Sequence, residues 1–593
     1  MDDEVLRIGN GSGFYGDRHE AMLELVEGGP LDVLTGDYLA ELTMLILWRT
    51  RQKDPARGYA RTFLRQARDL LRPCLARGTR IVVNAGGLDP AGLAAALREV
   101  ASELGVDARI AHVEGDDLLP RLPELTAQGD GLTDPATGRP LPDGPVPPLT
   151  ANAYLGGWGI AHALDAGADV VVTGRVTDAS LTVGPAAWWF GWQRHDWDRL
   201  AGATVAGHVI ECGAQATGGN HAFLDELPAD GPALPGFPIA EIARDGTATI
   251  TKHPGTGGAV TVHTVTGQLL YEIGGHRYLG PDVVTRFDTI RLDATGPDRV
   301  AIHGVQGEPP PPHLKVAVNT LGGWRNRIAF VLTGDDVDAK EALLRRQVAE
   351  ILDLDPLDAV TWHRGRDPEP DAARNEDATT TCTLTVAHRE PEPVDRRRFS
   401  GPLVALALSS YAGFTLTDPP ADPEPFGRYR PALVPAGVVT ERVVLDDGTA
   451  VEVVPTGCDH GVALDDRARP PIAIGRADPP PSGAGPRGPL GTVAGARSGD
   501  KGGDANVGLW VRDPAHYPWL IATLGDPASV RALLPEAEHL DVEVVALPNL
   551  AAVNVVIHGL LGDGVASSTR PDPQAKGLGE YLRSRHVPLP VTR

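Results

Sequence analysis

The sequence predicts an α/β fold with a Rossmann-like, mainly parallel sheet at the amino terminus, a β-rich second part and a small α+β module at the end. Short apolar runs recur along the first 180 residues, and amphipathic helical patterns fill most of the gaps between them. A separate set of strand-like runs follows a segment rich in proline and glycine near residue 480. The first pattern predicts the parallel sheet, and the second predicts the small module.

Five strand-like runs define the predicted sheet, and each ends in a small or polar turn. They are VLRI at 5–8, LDVL at 31–34, RIVV at 80–83, ARIAHV at 108–113 and DVVV at 169–172. Ligands of doubly wound sheets bind beyond the carboxyl ends of the strands. We therefore expect the five turns to lie along one edge and to form a binding site there.

Composition changes divide the rest of the chain. After about residue 205 the alternation of strands and helices gives way to β-rich text such as TATITKHPGTGGAVTVHTV, and RPPIAIGRADPPPSGAGPRGP favours an extended linker. A length of 593 residues also suggests about three domains. The predicted organisation is a Rossmann-like domain at 1–205, a β-rich α+β domain at 206–468, a linker at 469–489 and a small α+β domain at 490–593.

Charge and composition exclude several classes of function. The net charge of -24 would repel nucleic acids and acidic membranes, and no apolar run of about 18 residues is present to span a bilayer. The acidic start MDDEVLRIGNG is unlike a secretory signal. We expect a cytoplasmic homo-oligomer that binds neither nucleic acid nor membrane. Its cysteines lack the CxxC spacing of zinc or dithiol sites, namely Cys74, Cys212, Cys382 and Cys458.

The first turn, GNGSGFYG at 9–16, resembles an anion cradle because glycines let the backbone approach a ligand. It matches neither G-x-G-x-x-G nor a nucleotide phosphate loop, so a tight structural turn remains open. Asp17 and Glu20 have the spacing of a capping box for the next helix. The residues predicted to bind substrate here are Asn10, Gly11, Ser12 and Gly13.

The fifth turn contains Arg175 and, three residues later, Asp178. An arginine fork suits a carboxylate or phosphate, and the acid is a candidate for orienting it or for exchanging a proton. The alternative is an ion pair that caps the following helix. We favour function because the same edge carries other polar residues, namely Asn10, Ser12, Asp37, Asn84 and Glu114.

A dense group of reactive side chains occupies HVIECGAQATGGNHAFLD at 208–225. Glu211 is a candidate general acid or base if burial raises its pKa, and His221 is a second catalytic candidate. Cys212 is a nucleophile only if a histidine or a helix amino terminus lowers its pKa; otherwise it is a small apolar residue.

Two further glycine-rich stretches carry cations. In KHPGTGG, Lys252 and Gly257 are placed to bind an oxyanion or a CoA phosphate, although an ordinary hairpin turn fits equally well. In GARSGDKGGDANVGL, the substrate-binding candidates are Arg497, Ser498 and Lys501. We expect this stretch to be a loop that acts as a lid or reaches the main site, with a solvated loop as the alternative.

Six motifs in the same order resemble the acyclic terpene utilisation (AtuA) family along nearly the whole chain. They are RIGNGSGFYGDRHEAM, VLTGDYLAELTM, YLGGWGIAHALDAGADVVVTGRVTDASL, HVIECGAQATGGN, KHPGTGGAVT and GARSGDKGGDANVGL. The last 100 residues resemble that family's ferredoxin-fold domain, a name that describes a fold and implies no iron. The resemblance implies a link to breakdown of branched acyclic terpenoids through CoA thioesters, without a catalytic role for any residue.

The leading hypothesis is a cofactor-independent hydro-lyase that acts on a small branched carboxylic acid or its acyl-CoA thioester without a metal. Arg175 and the amides of 10–13 would bind the anion, and Glu211 or Asp178 would be the general acid or base. The second hypothesis is an acyl-CoA hydrolase or acyl transferase with Cys212 or Ser12 as nucleophile. The third is a non-catalytic partner of a CoA-dependent complex. The sequence does not decide whether a divalent ion is bound by groups far apart in the chain, such as Asp37, Glu114 and His208.

Overall fold

The structure is a computed structural model that describes residues 5–135, 137–141, 146–457 and 485–590. The described residues form two compact units. The first contains those of Met1–Asn319, Tyr429–Val565 and Asp572–Arg593, and the second contains Thr320–Arg428 and Ala566–Pro571. Residues 469–484 of the predicted linker lie outside the described residues, and so does Cys458. The other three cysteines are free thiols.

The described α-helices vary in length from nearly two turns to nearly five turns. They are α1 (Ala21–Gly28), α2 (Glu41–Lys53), α3 (Arg61–Arg77), α4 (Pro90–Leu104), α5 (Leu122–Gln128), α6 (Trp158–Asp165), α7 (Ser180–Phe190), α8 (Trp197–Ile210), α9 (Val262–Leu269), α10 (Val337–Ile351), α11 (Tyr517–Leu524), α12 (Pro527–Leu533) and α13 (Leu578–Ser584). Within the described residues, no helix is long and apolar enough to cross a bilayer.

The strands of the first half of the chain are β1 (Val5–Asn10), β2 (Val33–Gly36), β3 (Arg80–Val83), β4 (Ile110–Glu114), β5 (Pro148–Ala153), β6 (Val170–Thr173), β7 (Pro238–Ala243), β8 (Ala248–Lys252), β9 (Arg277–Leu279), β10 (Val284–Arg286), β11 (Arg291–Gly296), β12 (Arg299–His303) and β13 (Gln306–Glu308). The later strands are β14 (His313–Thr333), β15 (Ala359–Arg364), β16 (Thr379–His388), β17 (Thr415–Leu416), β18 (Glu424–Pro435), β19 (Glu441–Val444), β20 (Ala450–Val453), β21 (Arg487–Pro489), β22 (Ala494–Lys501), β23 (Asp504–Val511), β24 (Val542–Leu547), β25 (Ala552–Ile557) and β26 (His586–Pro588).

An eleven-stranded sheet organises the first unit, in the order β11-β12-β8-β7-β1-β2-β3-β6-β4-β19-β20. The five predicted runs are its central strands β1, β2, β3, β6 and β4, and each pairs in parallel with its neighbours in this group. The six flanking strands pair antiparallel. The predicted mainly parallel sheet is therefore limited to the centre. The flanking strands enter through hairpins, which need only short connections, whereas parallel neighbours need crossover helices.

The central strands are covered by helices on both faces. Because successive side chains of a strand point to opposite faces, Val82 and Val171 pack in one core with α6, α7 and α8, while Ile81 and Val172 pack in another with α1, α3 and α4. Continuous apolar runs are typical of strands buried on both sides. The arrangement leaves the carboxyl ends of the strands, and the turns after them, as the place where polar groups converge.

The carboxy-terminal module is a four-stranded antiparallel sheet in the order β22-β23-β25-β24. One face shares a core with α11, α12 and α13. The other face packs on the rest of the first unit, where Trp510 lies against Gly267 of α9. The stretch predicted as a loop, GARSGDK, is strand β22. Burial on both faces stabilises it as a strand despite its glycines and charges.

The second unit has its own sheet and core. Strands β15, β16, β14 and β17 pair antiparallel in that order. Helix α10 contributes Leu344 and Val348 to the core beneath them.

Candidate functional site

The turns after β2 and β3 place a buried carboxyl group beside an asparagine. Asn84 donates from Nδ2 to Asp37 Oδ1 at 2.6 Å, and its Oδ1 accepts from the backbone of Tyr38 at 2.7 Å. Burial, together with the charge of Asp178, raises the pKa of Asp37 well above its usual range. Asn84 therefore orients a carboxyl group that tends to hold its proton.

The turn after β6 fixes Arg175 against Asp178. Their Nη1 and Oδ1 atoms lie 3.0 Å apart, and the same Nη1 donates to Leu39 O at 2.9 Å. The guanidinium carbon lies 4.3 Å from the centre of the Tyr154 ring. Burial raises the pKa of Asp178, and Arg175 opposes that rise. Arg175 is only 2% exposed, and its ion pair holds Asp178 in position. Asp178 itself keeps 28% of its side chain accessible.

Glu41 and Lys315 lie next to Tyr154, the tyrosine that Arg175 contacts. Tyr154 donates its hydroxyl proton to Glu41 Oε1 at 2.8 Å, and Lys315 Nζ lies 3.5 Å from the same oxygen. Burial alone would raise the pKa of Glu41, but Lys315 and Arg175 outweigh it and lower that pKa to about 2. Glu41 is therefore ionised at neutral pH.

Glu211 and His208 form a buried pair at the carboxyl end of α8. His208 Nδ1 lies 3.0 Å from Glu211 Oε1. Burial lowers the pKa of His208 to about 4 and raises the pKa of Glu211 well above its usual range. Both shifts favour a neutral pair joined by one hydrogen bond. His208 Nε2 and Glu211 Oε2 are buried and have no hydrogen-bond partner among the described residues.

The glycine-rich first turn packs directly on the segment that carries Glu211. Asn10 Nδ2 donates to the carbonyl of Ile210 at 2.8 Å and to that of Glu211 at 2.9 Å. A Cβ on Gly13 would meet the carbonyl carbon of Cys212 at 2.6 Å, and one on Gly11 would meet Met22 at 2.6 Å. The glycines are thus explained by close approach of two backbones.

Two other predictions for this turn concern its hydroxyl and its acids. The one proton of Ser12 Oγ has two backbone acceptors, the carbonyls of Phe14 and Asp37, each 3.1 Å away, so it is directed to the backbone and away from any general base. The predicted capping box is wrong: Glu20 makes no side-chain cap on α1, and Asp17 instead accepts from the backbone of Gly13 at 2.8 Å. Asp17 is used to close the turn, four residues before the helix begins.

Cys212 lies just beyond the carboxyl end of α8, where the helix dipole disfavours a thiolate. Burial, followed by the nearby acids Glu211 and Glu272, raises the pKa of its thiol well above the usual range. The condition for nucleophilic character, a lowered pKa, is therefore not met in this environment.

Glu272 forms a second acid–base centre with groups from the carboxy-terminal module. Its backbone has a left-handed φ of 59°, and its N–H donates to Asn506 Oδ1 at 2.8 Å. Lys501 Nζ donates to the carbonyl of Glu272 at 3.1 Å, and Lys576 Nζ lies 3.9 Å from its Oε1. Burial, with Asp500 and other nearby acids, raises the pKa of Glu272 to about 8. Burial and Lys315 lower the pKa of Lys501 to about 8.

Arg497 and Lys576 share the ring of Tyr271. The guanidinium carbon of Arg497 lies 4.6 Å from the ring centre and Lys576 Nζ lies 4.4 Å from it. Lys576 also donates to the Tyr271 hydroxyl, and Arg497 donates to Gln215 Oε1. Ser498 accepts from the backbone of Gly579 and donates to the carbonyl of Lys576, so it fixes the segment that carries this lysine.

Accessibility and charge together define a cleft. Lys315, Glu272 and Lys576 keep 44%, 41% and 38% of their side chains accessible, yet burial is the largest influence on the pKa of each. Because these side chains are both reachable and surrounded by protein, we infer that they line a cleft. We use "the cleft" for six of the partly accessible groups that interact electrostatically here, namely Glu41, Asp178, Glu272, Lys315, Lys501 and Lys576.

Some predicted residues have their contacts elsewhere. His221 Nε2 pairs with Glu226 at 3.2 Å, and Lys252 Nζ pairs with Asp298 at 3.0 Å. Gly257 packs against the backbone carbonyls of Pro232 and Leu234, and Glu114 pairs with Arg442. None of these partners belongs to the cleft.

Four of the six cleft groups and both tyrosines were not predicted from the sequence, namely Glu41, Glu272, Lys315, Lys576, Tyr154 and Tyr271. One available signal was lysine rarity, because only six of the chain's 54 basic residues are lysines. Three of those six line the cleft. In a chain whose basic residues are mostly arginine, each lysine supplies a compact, titratable ammonium group that arginine cannot supply. Among the described residues, no group of three or more histidine, cysteine or acidic side chains is arranged to hold a metal ion.

Comparison with known families covers most of the chain. The model described as acyclic terpene utilisation family protein AtuA matches residues 6–445, and the model of the AtuA ferredoxin-like domain matches residues 488–588. No curated protein matches the chain.

Proposed function

The chain belongs to the acyclic terpene utilisation family, and we propose that it adds or removes water at a small branched carboxylic acid or its acyl-CoA thioester. The family implies involvement in acyclic terpene utilisation and a metabolic role. The observation that carries the proposed reaction is Glu272, an accessible carboxyl group whose pKa of about 8 lets it hold a proton at neutral pH. A cytoplasmic location and a homo-oligomeric state stay predictions from the sequence.

Proton transfer is the chemistry that this cleft can supply. In the dehydration direction, Asp178 takes the proton from the carbon next to the carboxyl or thioester group, and Glu272 gives its proton to the departing hydroxyl. The C–H and C–O bonds break, a carbon–carbon double bond forms, and water leaves. Arg175 favours the ionised form of Asp178 that this step requires. The reverse sequence adds water.

The charge of the cleft supports an anionic substrate. Lys315, Lys501 and Lys576 are accessible cations, while Glu272 is mainly protonated below about pH 8. With Arg175 included, four cations face the carboxylates of Glu41 and Asp178 and that of Asp500, whose pKa is raised to about 7, so positive charge is in excess. A substrate carboxylate or thioester enolate would be stabilised by the excess positive charge.

Covalent acyl transfer is less well supported. The Cys212 thiol is held protonated by burial, and the Ser12 hydroxyl is directed to backbone carbonyls instead of to a base. We therefore assign neither residue a nucleophilic role. A purely non-catalytic partner would not need a cleft in which two groups, Glu272 and Lys501, both titrate near pH 8.

The test uses Glu272→Gln and Asp178→Asn, with Glu103→Gln as control because Glu103 is an exposed partner of Arg68. Each protein is incubated with branched acids and acyl-CoAs, and gain or loss of the mass of water is followed by mass spectrometry. We expect each cleft variant to lose about 10²-fold to 10⁴-fold of turnover and the control to lose none.

Deuterium exchange then separates the two roles. In D₂O, Glu272→Gln should still exchange the substrate proton next to the carbonyl, because the base remains, whereas Asp178→Asn should lose this exchange. Full turnover in both folded variants, or free CoA as the product of the wild type, would refute the proposed reaction.

A further inference from the structure

Two tyrosine rings of the first unit each carry two cations. The Tyr154 ring has Arg175 at 4.3 Å and Lys315 at 4.5 Å, and the Tyr271 ring has Arg497 at 4.6 Å and Lys576 at 4.4 Å. A ring face attracts a cation, but two like charges on one ring also repel each other. Each pair therefore needs a negative partner.

The pair on Tyr154 has such partners within the protein. Arg175 lies 3.0 Å from the Asp178 carboxylate, and Lys315 lies 3.5 Å from Glu41, which is ionised at neutral pH. The charges of this pair are matched by two carboxylates.

The pair on Tyr271 has no matching carboxylate among the contacts described. Arg497 donates to two neutral oxygens, those of Gln215 and the Asn220 backbone. The nearest acid, Glu272, lies 3.9 Å from Lys576 and holds its proton below about pH 8. Arg497 is 8% exposed, and its buried Nε–H has no hydrogen-bond partner in the described structure. A buried, unpartnered guanidinium donor is costly unless an anion completes it.

We infer that Arg497 and Lys576, placed on the Tyr271 ring, bind a second anionic group of the substrate, either a carboxylate or a phosphate. The substrate then carries two negative groups, one held here and one held by Lys501, whose ammonium group donates only to the neutral carbonyl of Glu272 among the contacts described. This inference rests on the proposed function for the identity of the substrate, but the site itself is a binding site that acts without turnover. Glu272 lies beside Lys576 and Lys501, so the bond that reacts lies between the two anionic groups.

The experiment compares three probes by titration calorimetry: 3-methylbutyrate with one carboxylate, 3-methylglutarate with two, and CoA with its phosphates. The proteins are wild type, Lys576→Met, Lys576→Arg and the control Lys53→Met, because Lys53 is an exposed lysine at the end of α2. Lys576 is partly accessible, so its replacement leaves the core intact.

In the wild type and the Lys53 variant we expect 3-methylglutarate or CoA to bind at least about tenfold more tightly than 3-methylbutyrate. Lys576→Met should lose this preference, with the affinity for 3-methylbutyrate changed less than about twofold, and Lys576→Arg should restore most of it. Loss confined to 3-methylglutarate identifies a carboxylate as the second group, and loss confined to CoA identifies a phosphate.

Equal affinity of the wild type for all three probes, no binding of any probe, or a preference that survives in Lys576→Met would overturn the inference. Turnover is scored separately. Binding that depends on Lys576 without any exchange of water would refute the proposed reaction and leave the anion site standing. Turnover of a monocarboxylate that is unaffected by Lys576→Met would support the proposed reaction and refute the anion site.

Discussion

Replacing Asn506 with alanine tests how the carboxy-terminal module positions Glu272. Asn506 is fully buried, accepts from the backbone N–H of Glu272 at 2.8 Å and donates to Asn554, which in turn reaches the carbonyl of Ile273. The variant leaves the Glu272 N–H and the Asn554 oxygen without these partners. An unsatisfied buried group costs about 1–3 kcal/mol, so the loss of two partners should lower the free energy of unfolding by about 2–6 kcal/mol.

Activity should fall as well, for a separate reason. Glu272 has a left-handed φ of 59°, a conformation that costs a residue with a side chain about 1–2 kcal/mol and that the asparagine pair holds in place. Displacement of a catalytic group by about 1 Å can reduce turnover about 10²-fold. We therefore expect kcat of the folded Asn506→Ala variant to fall between about tenfold and about 10²-fold.

The matched control is Asn549→Ala. Asn549 belongs to the same module and donates to the carbonyls of Phe287 and Ile290, both at 2.9 Å, without contacting the Glu272 turn. Urea denaturation followed by tryptophan fluorescence should show a smaller destabilisation for Asn549→Ala, because Asn549 is exposed whereas Asn506 is buried, and turnover below the transition should fall only in Asn506→Ala. Equal residual activity in the two variants would refute the positioning argument.

Three other predictions concern titration. Because Glu272 must be protonated to act as an acid, kcat should fall as pH rises through about 8, and a Glu272→Gln variant should lack that limb in its pH–rate profile. Glu441 is buried and its pKa is raised to about 8, so the folded state binds its proton more tightly than the unfolded state does. The free energy of unfolding of the wild type should therefore fall by about 3 kcal/mol between about pH 6 and about pH 9. Urea titrations should show that Glu441→Gln does not undergo this loss. Cys212 should resist iodoacetamide at about pH 8 in mass-spectrometric mapping, and Cys212→Ala should keep at least about a third of wild-type turnover, since its thiol stays protonated; rapid alkylation would contradict this.

The centre of the fold was predictable because its signal is local. Runs such as RIVV and DVVV are apolar at every position, which is the pattern of strands buried on both faces, and both form parallel strands of the central sheet. The antiparallel extension of the same sheet was not predicted. Strands such as β19 at Glu441–Val444 join from more than 300 residues away in sequence, and no local pattern states which edge a strand will join.

The candidate site was predictable only in part: Asp178 from its place after a central strand, and Arg497 and Lys501 from a charged, glycine-rich stretch. Asp178 was found because it follows a buried run by a few residues. Glu272 and Lys576 were missed because their environment is made by contacts across long sequence separations, such as that between Lys576 and Tyr271. A pKa is set by burial and neighbouring charges, and neither can be read from spacing along the chain.

The glycines of β22 show how one pattern can be given the wrong physical meaning. They suggested a flexible lid, but Arg497, Gly499 and Lys501 alternate along one face of a buried strand. A Cβ on Gly499 would lie 2.4 Å from the Tyr271 ring, the ring that also carries Arg497. Glycine is therefore required between the two cations because the strand must approach the ring closely, and this approach is what brings the guanidinium and the ammonium group to Tyr271 and Glu272. The motif acts through close packing that delivers charge to the cleft.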